Sequence, residues 1–310
     1  DTGIYTITYS VTDSDDETDS AFRVVVVIEE EEDETGATSD TITNASLESC
    51  PVTFSDTDKV YYIVSNLTLP AGCSVTFDAH TTVIVKGIIY VNNGASLIIK
   101  EGAAFSFADN KYITVGETGE GTITALGTTE DSITFKNLST ATLWCYGTSG
   151  TSSGGIWIDD GATAECALSY CIIDSATSGI HVEKAAISIS NCRITNNQFY
   201  GIYFDNGGQP ADSASFLENV ISGNGDYGIG IYSNFLGALS GTGSVDGNTN
   251  GGILVVQDAV ETDGVWKKHD AAYVVAGTHH IGSGSGATVT IRPGCRFEIK
   301  DNAYIAVGES

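Results

Sequence analysis

Rings and carboxylates recur together in this sequence, each time just after a Gly-Ile pair. Gly-Ile pairs begin at residues 155, 179, 201, 228 and 252, and three of them are followed by a ring and then, two residues later, by an acid. These ring–acid pairs are Trp157 with Asp159, His181 with Glu183, and Tyr203 with Asp205. Rings beside acids suit the binding of sugars, and stacked carboxylates suit Ca²⁺. The alternative is an ordinary solvated sheet surface, where rings favour the strand and acids favour solubility.

A second acidic group lies near the N-terminus and is a candidate calcium site. Its members fall within one predicted turn and are Asp13, Asp15, Asp16 and Asp19. The turn lacks the glycine and the downstream glutamate of an EF-hand loop, so it does not match that motif. We expect no required cofactor, and calcium is the one metal that this pattern suggests.

The charge of the chain restricts its partners. The 310 residues include 40 acidic and 13 basic side chains, a formal net charge of -27. A protein this acidic repels nucleic acid and anionic lipid surfaces, so we expect neither as a partner. No apolar run is long enough to span a bilayer and no charged-then-apolar leader opens the chain, so we expect no membrane insertion. Because methionine is absent, we interpret the chain as a processed form or an internal segment of a longer protein.

Seven cysteines are too few for a disulfide-framework miniprotein, and their spacing matches no zinc module. Cys50 and Cys73 are the candidates for a disulfide, and the sequence leaves their oxidation state open. Cys171 and Cys192 occupy equivalent positions in successive repeats, which favours stacked core thiols over a disulfide.

The repeat length predicts the elements that position these side chains. The Gly-Ile pairs are 24, 22, 27 and 24 residues apart, and each interval holds short strand-like runs with Gly, Asn or Ser between them. A repeat of this length with strands and no helix predicts a β-solenoid, an all-β fold. The aliphatic positions, such as Ile156 and Ile158, must face the inside of the coil, which turns Trp157 and Asp159 outward.

Two further patterns concern the turns of this solenoid. Asn197, Asn224 and Asn248 stand before Gly-Ile strands, where an asparagine amide can bond to its neighbour in the next turn. Residues 95–117 recur as residues 287–309, with eleven of 23 aligned positions identical. We therefore predict that the chain begins a second copy of its opening turns near residue 287.

The first 36 residues form a separate region. Residues 4–12 and 22–28 alternate apolar and polar side chains, which predicts the two strands of a hairpin. The stretches TGIYTITYSVTD and AFRVVVVIE resemble the last two strands of a bacterial immunoglobulin-like repeat. The resemblance implies that the missing strands are in another part of a parent chain or in another molecule. Residues 29–34, EEEEDE, predict an extended, solvated linker.

From about residue 58 onward the chain resembles the right-handed parallel β-helix family of secreted and surface proteins, which includes pectate-lyase-like enzymes. The stretches YYIVSNLTLPAG and VTIRPGCRFEI carry the likeness. The resemblance implies a right-handed parallel β-helix (solenoid) behind an N-terminal hairpin or Ig-like fragment. We predict three regions, with the Ig-like strand pair and acidic linker at 1–36, the β-helix at 37–258, and a junction and the start of a second stack at 259–310.

The resemblance also raises the question of catalysis. A polysaccharide lyase of this family would need a base near acidic Ca²⁺ ligands. The candidates are His181, Lys184 and Arg193 as bases and Asp159, Asp160 and Asp205 as acids. Lys184 and Arg193 are the only Lys or Arg residues between 155 and 257, which is a poor basis for binding an acidic glycan. A glycosidase would instead need two placed carboxylates, for which Asp159 and Asp205 are candidates.

We therefore expect a non-enzymatic extracellular or cell-surface protein with a structural or adhesive role. It would be a rigid β-helical segment of a surface fibre, associating head to tail with identical subunits or with neighbouring modules of a longer chain. The alternative is a polysaccharide-binding or lyase-type protein that uses the outward face of the β-helix.

Overall fold

The computed structural model describes residues 3–12, 18–27, 38–139, 144, 154–256, 259–282, 284 and 286–308. Contacts divide the chain into two compact units, Asp1–Ser39 and Asp40–Ser310. In the described ranges, no helix is long and apolar enough to cross a membrane.

The first unit contains a two-stranded antiparallel hairpin. Strand β1 (Gly3–Thr12) pairs with strand β2 (Thr18–Val27), from Gly3 opposite Val27 to Thr12 opposite Thr18. The predicted hairpin is confirmed, while its kinship with an immunoglobulin-like repeat stays a prediction.

The second unit is a solenoid of short strands. In chain order they are β3 (Thr38–Ile42), β4 (Val52–Phe54), β5 (Lys59–Ile63), β6 (Leu67–Thr68), β7 (Ser74–Phe77), β8 (Thr82–Val85), β9 (Ile89–Val91), β10 (Ala95–Lys100), β11 (Ala104–Phe107), β12 (Ile113–Val115), β13 (Gly121–Leu126), β14 (Ile133–Asn137), β15 (Ile156–Ile158), β16 (Ala167–Ser169), β17 (Cys171–Asp174), β18 (Ile180–Glu183), β19 (Ala186–Ser190), β20 (Arg193–Thr195), β21 (Ile202–Asp205), β22 (Gln209–Pro210), β23 (Phe216–Leu217), β24 (Val220–Ser222), β25 (Tyr227–Tyr232), β26 (Gly251–Val256), β27 (Ala259–Val260), β28 (Gly264–Trp266), β29 (Tyr273–Val275), β30 (Thr278–Ile281), β31 (Val289–Ile291), β32 (Phe297–Ile299) and β33 (Tyr304–Val307). Two 3₁₀ helices, Asn44–Leu47 and Ser233–Ala238, interrupt this series.

Three parallel sheets run along the solenoid, and most turns give one strand to each. The first sheet contains β4, β7, β10, β13, β16, β19 and β22, with β23 also paired to β19. The second contains β3, β5, β8, β11, β14, β17, β20 and β24, and the third contains β6, β9, β12, β15, β18, β21, β25, β26, β29 and β32. The chain makes about 11 turns, and the fold is the predicted all-β, right-handed parallel β-helix.

An aliphatic ladder fills the inside of the coil. In the third sheet, isoleucines of five successive turns stack in register and are fully buried, namely Ile156, Ile180, Ile202, Ile229 and Ile253. Neighbouring parallel strands lie ~4.8 Å apart, so each side chain covers the one beneath it. Each buried aliphatic side chain contributes roughly 1.5–3 kcal/mol, which explains why the Gly-Ile-x-aliphatic pattern recurs.

A second ladder, of asparagine amides, stacks at one corner. The Asn224 Oδ1 accepts bonds from the Asn197 backbone N–H at 3.1 Å and from its Nδ2 at 2.8 Å. The Asn248 Oδ1 accepts from Asn224 in the same way, at 3.1 and 2.8 Å. This confirms the predicted role of Asn197, Asn224 and Asn248 in joining successive turns.

Two new sheets begin in the region from residue 259, which the sequence predicts to be a junction and the start of a second stack. They are β27–β30–β33 and β28–β31. The third sheet does not break, because Ile253 pairs with Tyr273 and Tyr273 with Phe297. Residues 259–308 therefore continue the same solenoid, since the inward apolar pattern of the third strand is kept through residue 299.

Candidate functional site

The structure brings the three predicted rings into one column on the third sheet. Trp157 lies beside His181, and His181 beside Tyr203, each pair in register on β15, β18 and β21. The Trp157 and His181 rings are nearly parallel, with centroids 5.2 Å apart, and the Tyr203 edge meets His181 at 5.6 Å. Tyr200 packs on Tyr203 at 4.8 Å. The ring faces are thus occupied by one another.

His181 lies at the buried centre of this column, although the sequence places it on the outside of the coil. Its side chain is 1% exposed, and neither ring nitrogen has a hydrogen-bond partner. The backbone at Gly154 passes directly over it, so that a Cβ at position 154 would lie 2.6 Å from the His181 Cβ. Such a Cβ would also lie 2.6 Å from the His181 backbone N, so only glycine fits at that crossing.

The unpartnered atoms continue along the column. Thr114 precedes Trp157 in register on β12. The Thr114 hydroxyl and the Trp157 indole N–H are also buried without a partner. The column therefore holds a hydroxyl, an indole N–H and an imidazole whose hydrogen-bonding capacity is unused.

The three predicted carboxylates form a half-buried second column next to the rings. Asp205 accepts a bond from the Tyr232 hydroxyl at 3.2 Å, and its Oδ2 lies 3.8 Å from the His181 Nε2. Glu183 accepts from the Asn206 Nδ2 at 3.2 Å. Burial raises the pKa of Asp159, and the negative charges of Glu183 and other nearby acids raise it further.

The protonation of His181 decides whether the column can act as a base. Burial lowers the pKa of His181, and the carboxylates of Asp205 and Glu183 oppose that shift. The imidazole is therefore neutral at pH 7. A neutral imidazole is the form that a general base needs, but this one is enclosed by Trp157, Tyr203 and Gly154, so a polymer cannot reach it without moving the chain.

The remaining candidates for catalysis do not converge on this column. Lys184 is exposed and lies 3.6 Å from the Glu183 carboxylate. Arg193 is exposed at the start of β20, which belongs to the second sheet and not the third. Asp160 is exposed, and its backbone N–H donates to the Asp159 Oδ1 at 2.8 Å.

The calcium prediction falls mostly outside the described residues. Asp13, Asp15 and Asp16 are not described, and of Asp19 only its backbone position in β2 is known. Elsewhere in the described ranges, no group of three or more His, Cys, Asp or Glu side chains is placed to hold a metal ion.

Cys50 and Cys73 form a disulfide, with their Cα atoms 5.6 Å apart. Val52 pairs with Val75 two residues further on, so this bond joins neighbouring positions of two successive turns. The sequence leaves the oxidation state of Cys50 and Cys73 open, and in the structure the two residues are oxidised.

One groove contains none of the candidate site residues that the sequence singled out. It has a volume of about 530 Å³ and lies between the second 3₁₀ helix and the β28–β31 pair, lined by Ser213, Gly237, Asp263, Gly264, Val265, Lys267, Thr288 and Thr290. The Lys267 ammonium donates to the Gly237 and Leu239 carbonyls at 3.3 and 3.0 Å. These residues are far apart in the sequence and share no motif, so only the fold reveals the groove.

Comparisons with known proteins agree with the fold and indicate no activity. No curated protein and no solved structure matches the chain. Residues 146–263 match a family model described as a right handed beta helix region. This stretch contains all three ring–acid pairs, from Trp157 to Asp205.

Proposed function

We propose that this protein is a non-enzymatic structural or adhesive element of the cell exterior, a rigid β-helical segment of a fibre that associates end to end. The observation that supports the proposal is the continuity of the solenoid, in which one parallel sheet joins ten strands from β6 to β32. The place where such a solenoid could bind a second copy is indicated by residues 95–117 and 287–309, which share a sequence pattern but differ in exposure.

The earlier copy is covered by the turn that follows it. Phe107 and Val115 are both fully buried, under strands β14 and β15. The aligned residues of the later copy are Ile299, which is 48% exposed, and Val307, which is 73% exposed. Ile291 and Tyr304 are exposed beside them. The same pattern is a core in one place and an open apolar surface in the other.

The occupant that fits this surface is the N-terminal region of another copy. Residues 1–36 carry twelve acidic side chains and the two predicted hairpin strands. Exposed basic residues lie in these turns, namely Lys268, Arg292, Arg296 and Lys300, of which Lys300 is paired with Glu298 at 2.6 Å. Strands with free edges add readily to other strands, and opposite charges steer the encounter and set its orientation.

The exterior location rests on the Cys50–Cys73 disulfide. Disulfides persist in oxidising compartments and are rare in reducing ones. A net charge of -27 would keep such a chain soluble and away from anionic surfaces.

Light scattering on paired variants tests the association. Ile299→Lys places a charge on the open turns and should leave only monomers. Leu126→Lys places the same charge on a residue equally exposed, at 49%, on the side of the solenoid, and should leave association unchanged. Arg292→Glu should weaken association more at low salt than at high salt. Equal masses for the wild type and both lysine variants at every concentration would refute the proposal.

The alternative function, polysaccharide binding at the outward face, has less support. Sugar rings bind against free aromatic faces, whereas the faces of Trp157, His181 and Tyr203 contact one another. Glycan-array binding by the wild type that is lost in Tyr203→Ala would support polysaccharide binding at this column.

A further inference from the structure

Two buried thiols in the core stand in the same relation as the cysteines of the existing disulfide. Ile172 pairs with Arg193 and Ile173 with Ile194, which puts Cys171 directly beside Cys192 in the next turn. The Cys50–Cys73 bond also joins in-register neighbours of successive turns. The two pairs are 21 and 23 residues apart in the sequence.

The two side chains point the same way, towards the inside of the coil. The Cys171 thiol donates to the Ser169 carbonyl at 3.4 Å, and the Cys192 thiol donates to the Ser190 carbonyl at 3.3 Å. Ser169 and Ser190 are themselves paired in register. The sulfur atoms therefore occupy equivalent places one turn apart.

The spacing of the turns suits a covalent link. In-register residues of parallel strands lie ~4.8 Å apart, within the Cα separation of about 4.4–6.8 Å at which disulfides form. Cys50 and Cys73, which are in register across the same kind of spacing, form such a bond with their Cα atoms 5.6 Å apart. Among the described residues, the other cysteine of this turn, Cys166, is in register with Ile187 and not with a cysteine.

We propose that Cys171 and Cys192 are a second site of disulfide formation, which cross-links two successive turns of the β-helix when a disulfide oxidant is present. With oxidised glutathione, one thiolate attacks the oxidant and releases one glutathione. The second thiolate then attacks the mixed disulfide and releases the other. Two cysteine thiols are oxidised to one disulfide, and one glutathione disulfide is reduced to two thiols.

The link would join two turns that carry members of the Trp157–His181–Tyr203 column. Cys171 is in the turn that carries His181, and Cys192 is in the turn that carries Tyr203. A covalent bond here would add to the strand pairing between these two turns and keep them from separating. The inference does not depend on end-to-end association.

Burial controls when the reaction can occur. Both residues are 1% exposed. Burial raises the pKa of the Cys171 thiol, and the neighbouring Cys192 raises it further, so the native thiol is a poor nucleophile. Oxidation should therefore be slow in the folded protein and efficient when the protein folds in the presence of the oxidant.

The test is a peptide map of full-length protein refolded in oxidised and reduced glutathione, with free thiols alkylated in denaturant. We expect a linked Cys171–Cys192 peptide and three alkylated cysteines, whereas protein that has formed only the Cys50–Cys73 disulfide would show five of its seven cysteines alkylated. Cys171→Ser should leave Cys192 fully alkylated. Cys166→Ser changes another buried cysteine of the same turn and should keep the link.

Two results would overturn the inference. One is full alkylation of Cys171 and Cys192 in protein that has formed Cys50–Cys73. The other is a peptide that links either residue to Cys166 in place of its neighbour. Cys171→Ala and Cys192→Ala provide the same test if a serine in the core disturbs folding.

Discussion

The asparagine ladder provides the sharpest test of how the turns are held together. Asn224 is fully buried, and its Oδ1 accepts both the backbone N–H and the Nδ2 of Asn197. Its own Nδ2 donates to the Ile194 carbonyl at 3.3 Å and to the Asn248 Oδ1 at 2.8 Å. The Asn224→Ala substitution would remove every one of these contacts.

The cost follows from the groups left behind. Two buried Asn197 donors would lose their acceptor, and each unsatisfied buried group costs roughly 1–3 kcal/mol. We therefore expect Asn224→Ala to lower the free energy of unfolding by about 4 kcal/mol, a large share of the roughly 5–15 kcal/mol that stabilises most proteins. The matched control is Asn250→Ala, which removes a single exposed bond to Asp226 and should cost at most about 1 kcal/mol.

Urea unfolding followed by tryptophan fluorescence measures both variants. A solenoid can open in segments, so hydrogen exchange at the Asn197 amide should be recorded as well, where Asn224→Ala alone is expected to speed exchange. The reasoning fails if Asn224→Ala is no more destabilising than Asn250→Ala, or if exchange at Asn197 is unchanged.

Three further predictions concern other parts of the solenoid. Burial lowers the pKa of His269 to about 4 from its ordinary 6.5, so the unfolded chain binds the proton first as pH falls. The contribution of His269 to the free energy of unfolding should be constant above about pH 6.5 and fall by up to about 3 kcal/mol towards pH 4. Urea titrations at these two pH values should show a smaller difference in stability for His269→Gln than for the wild type. Breaking the Cys50–Cys73 bond with Cys50→Ser and Cys73→Ser together should cost about 3 kcal/mol for a loop of this size, measured by the same titration in oxidising buffer; an unchanged midpoint would contradict it. Trp144 stacks on Phe107 at 4.2 Å and donates its indole N–H to the Asp174 carbonyl at 2.7 Å. Trp144→Ala should therefore lower the melting temperature by several degrees and the free energy of unfolding by about 3–5 kcal/mol. A smaller loss of stability than that caused by Phe107→Leu would argue against the place of Trp144 in the core.

The sequence predicts the fold because the fold is periodic. A repeat of 22 to 27 residues fixes the register of each strand on the last, so Ile156 and Ile180 stack, and Trp157 meets His181, as the pattern requires. The asparagine corners are predictable for the same reason, because equivalent amides lie one turn apart and can bond to each other.

The sequence does not predict the burial of His181. Gly154, which lies close to the His181 backbone, belongs to a longer turn than its neighbours. The paired first-sheet residues Thr124 and Ala167 are 43 residues apart in that turn, whereas Ala167 and Ser188 are 21 residues apart in the next. The additional residues follow no repeat, so the Gly-Ile spacing does not predict the surroundings of His181.

The third sheet continues beyond residue 259, through Tyr273 and Phe297, without the Gly-Ile pair that marks the earlier turns. Two sheets do restart there, and the local sequence TDGVWKKHDAAYVVAG lacks the Gly-Ile pair that marks earlier turns. Tyr273 takes the position of the isoleucines, and its ring, stacked on Phe297 at 5.3 Å, fills the same space. A pattern based on aliphatic residues overlooks an aromatic substitute of this sort.

Electron microscopy of the unmodified protein tests the proposed end-to-end association most directly. About 11 turns spaced ~4.8 Å apart give the solenoid of one copy a length of about 50 Å. The account predicts particles that lengthen with protein concentration in whole multiples of one copy, each copy joined at the turns that carry Ile299 and Val307. Uniform single copies about 50 Å long at every concentration would contradict it.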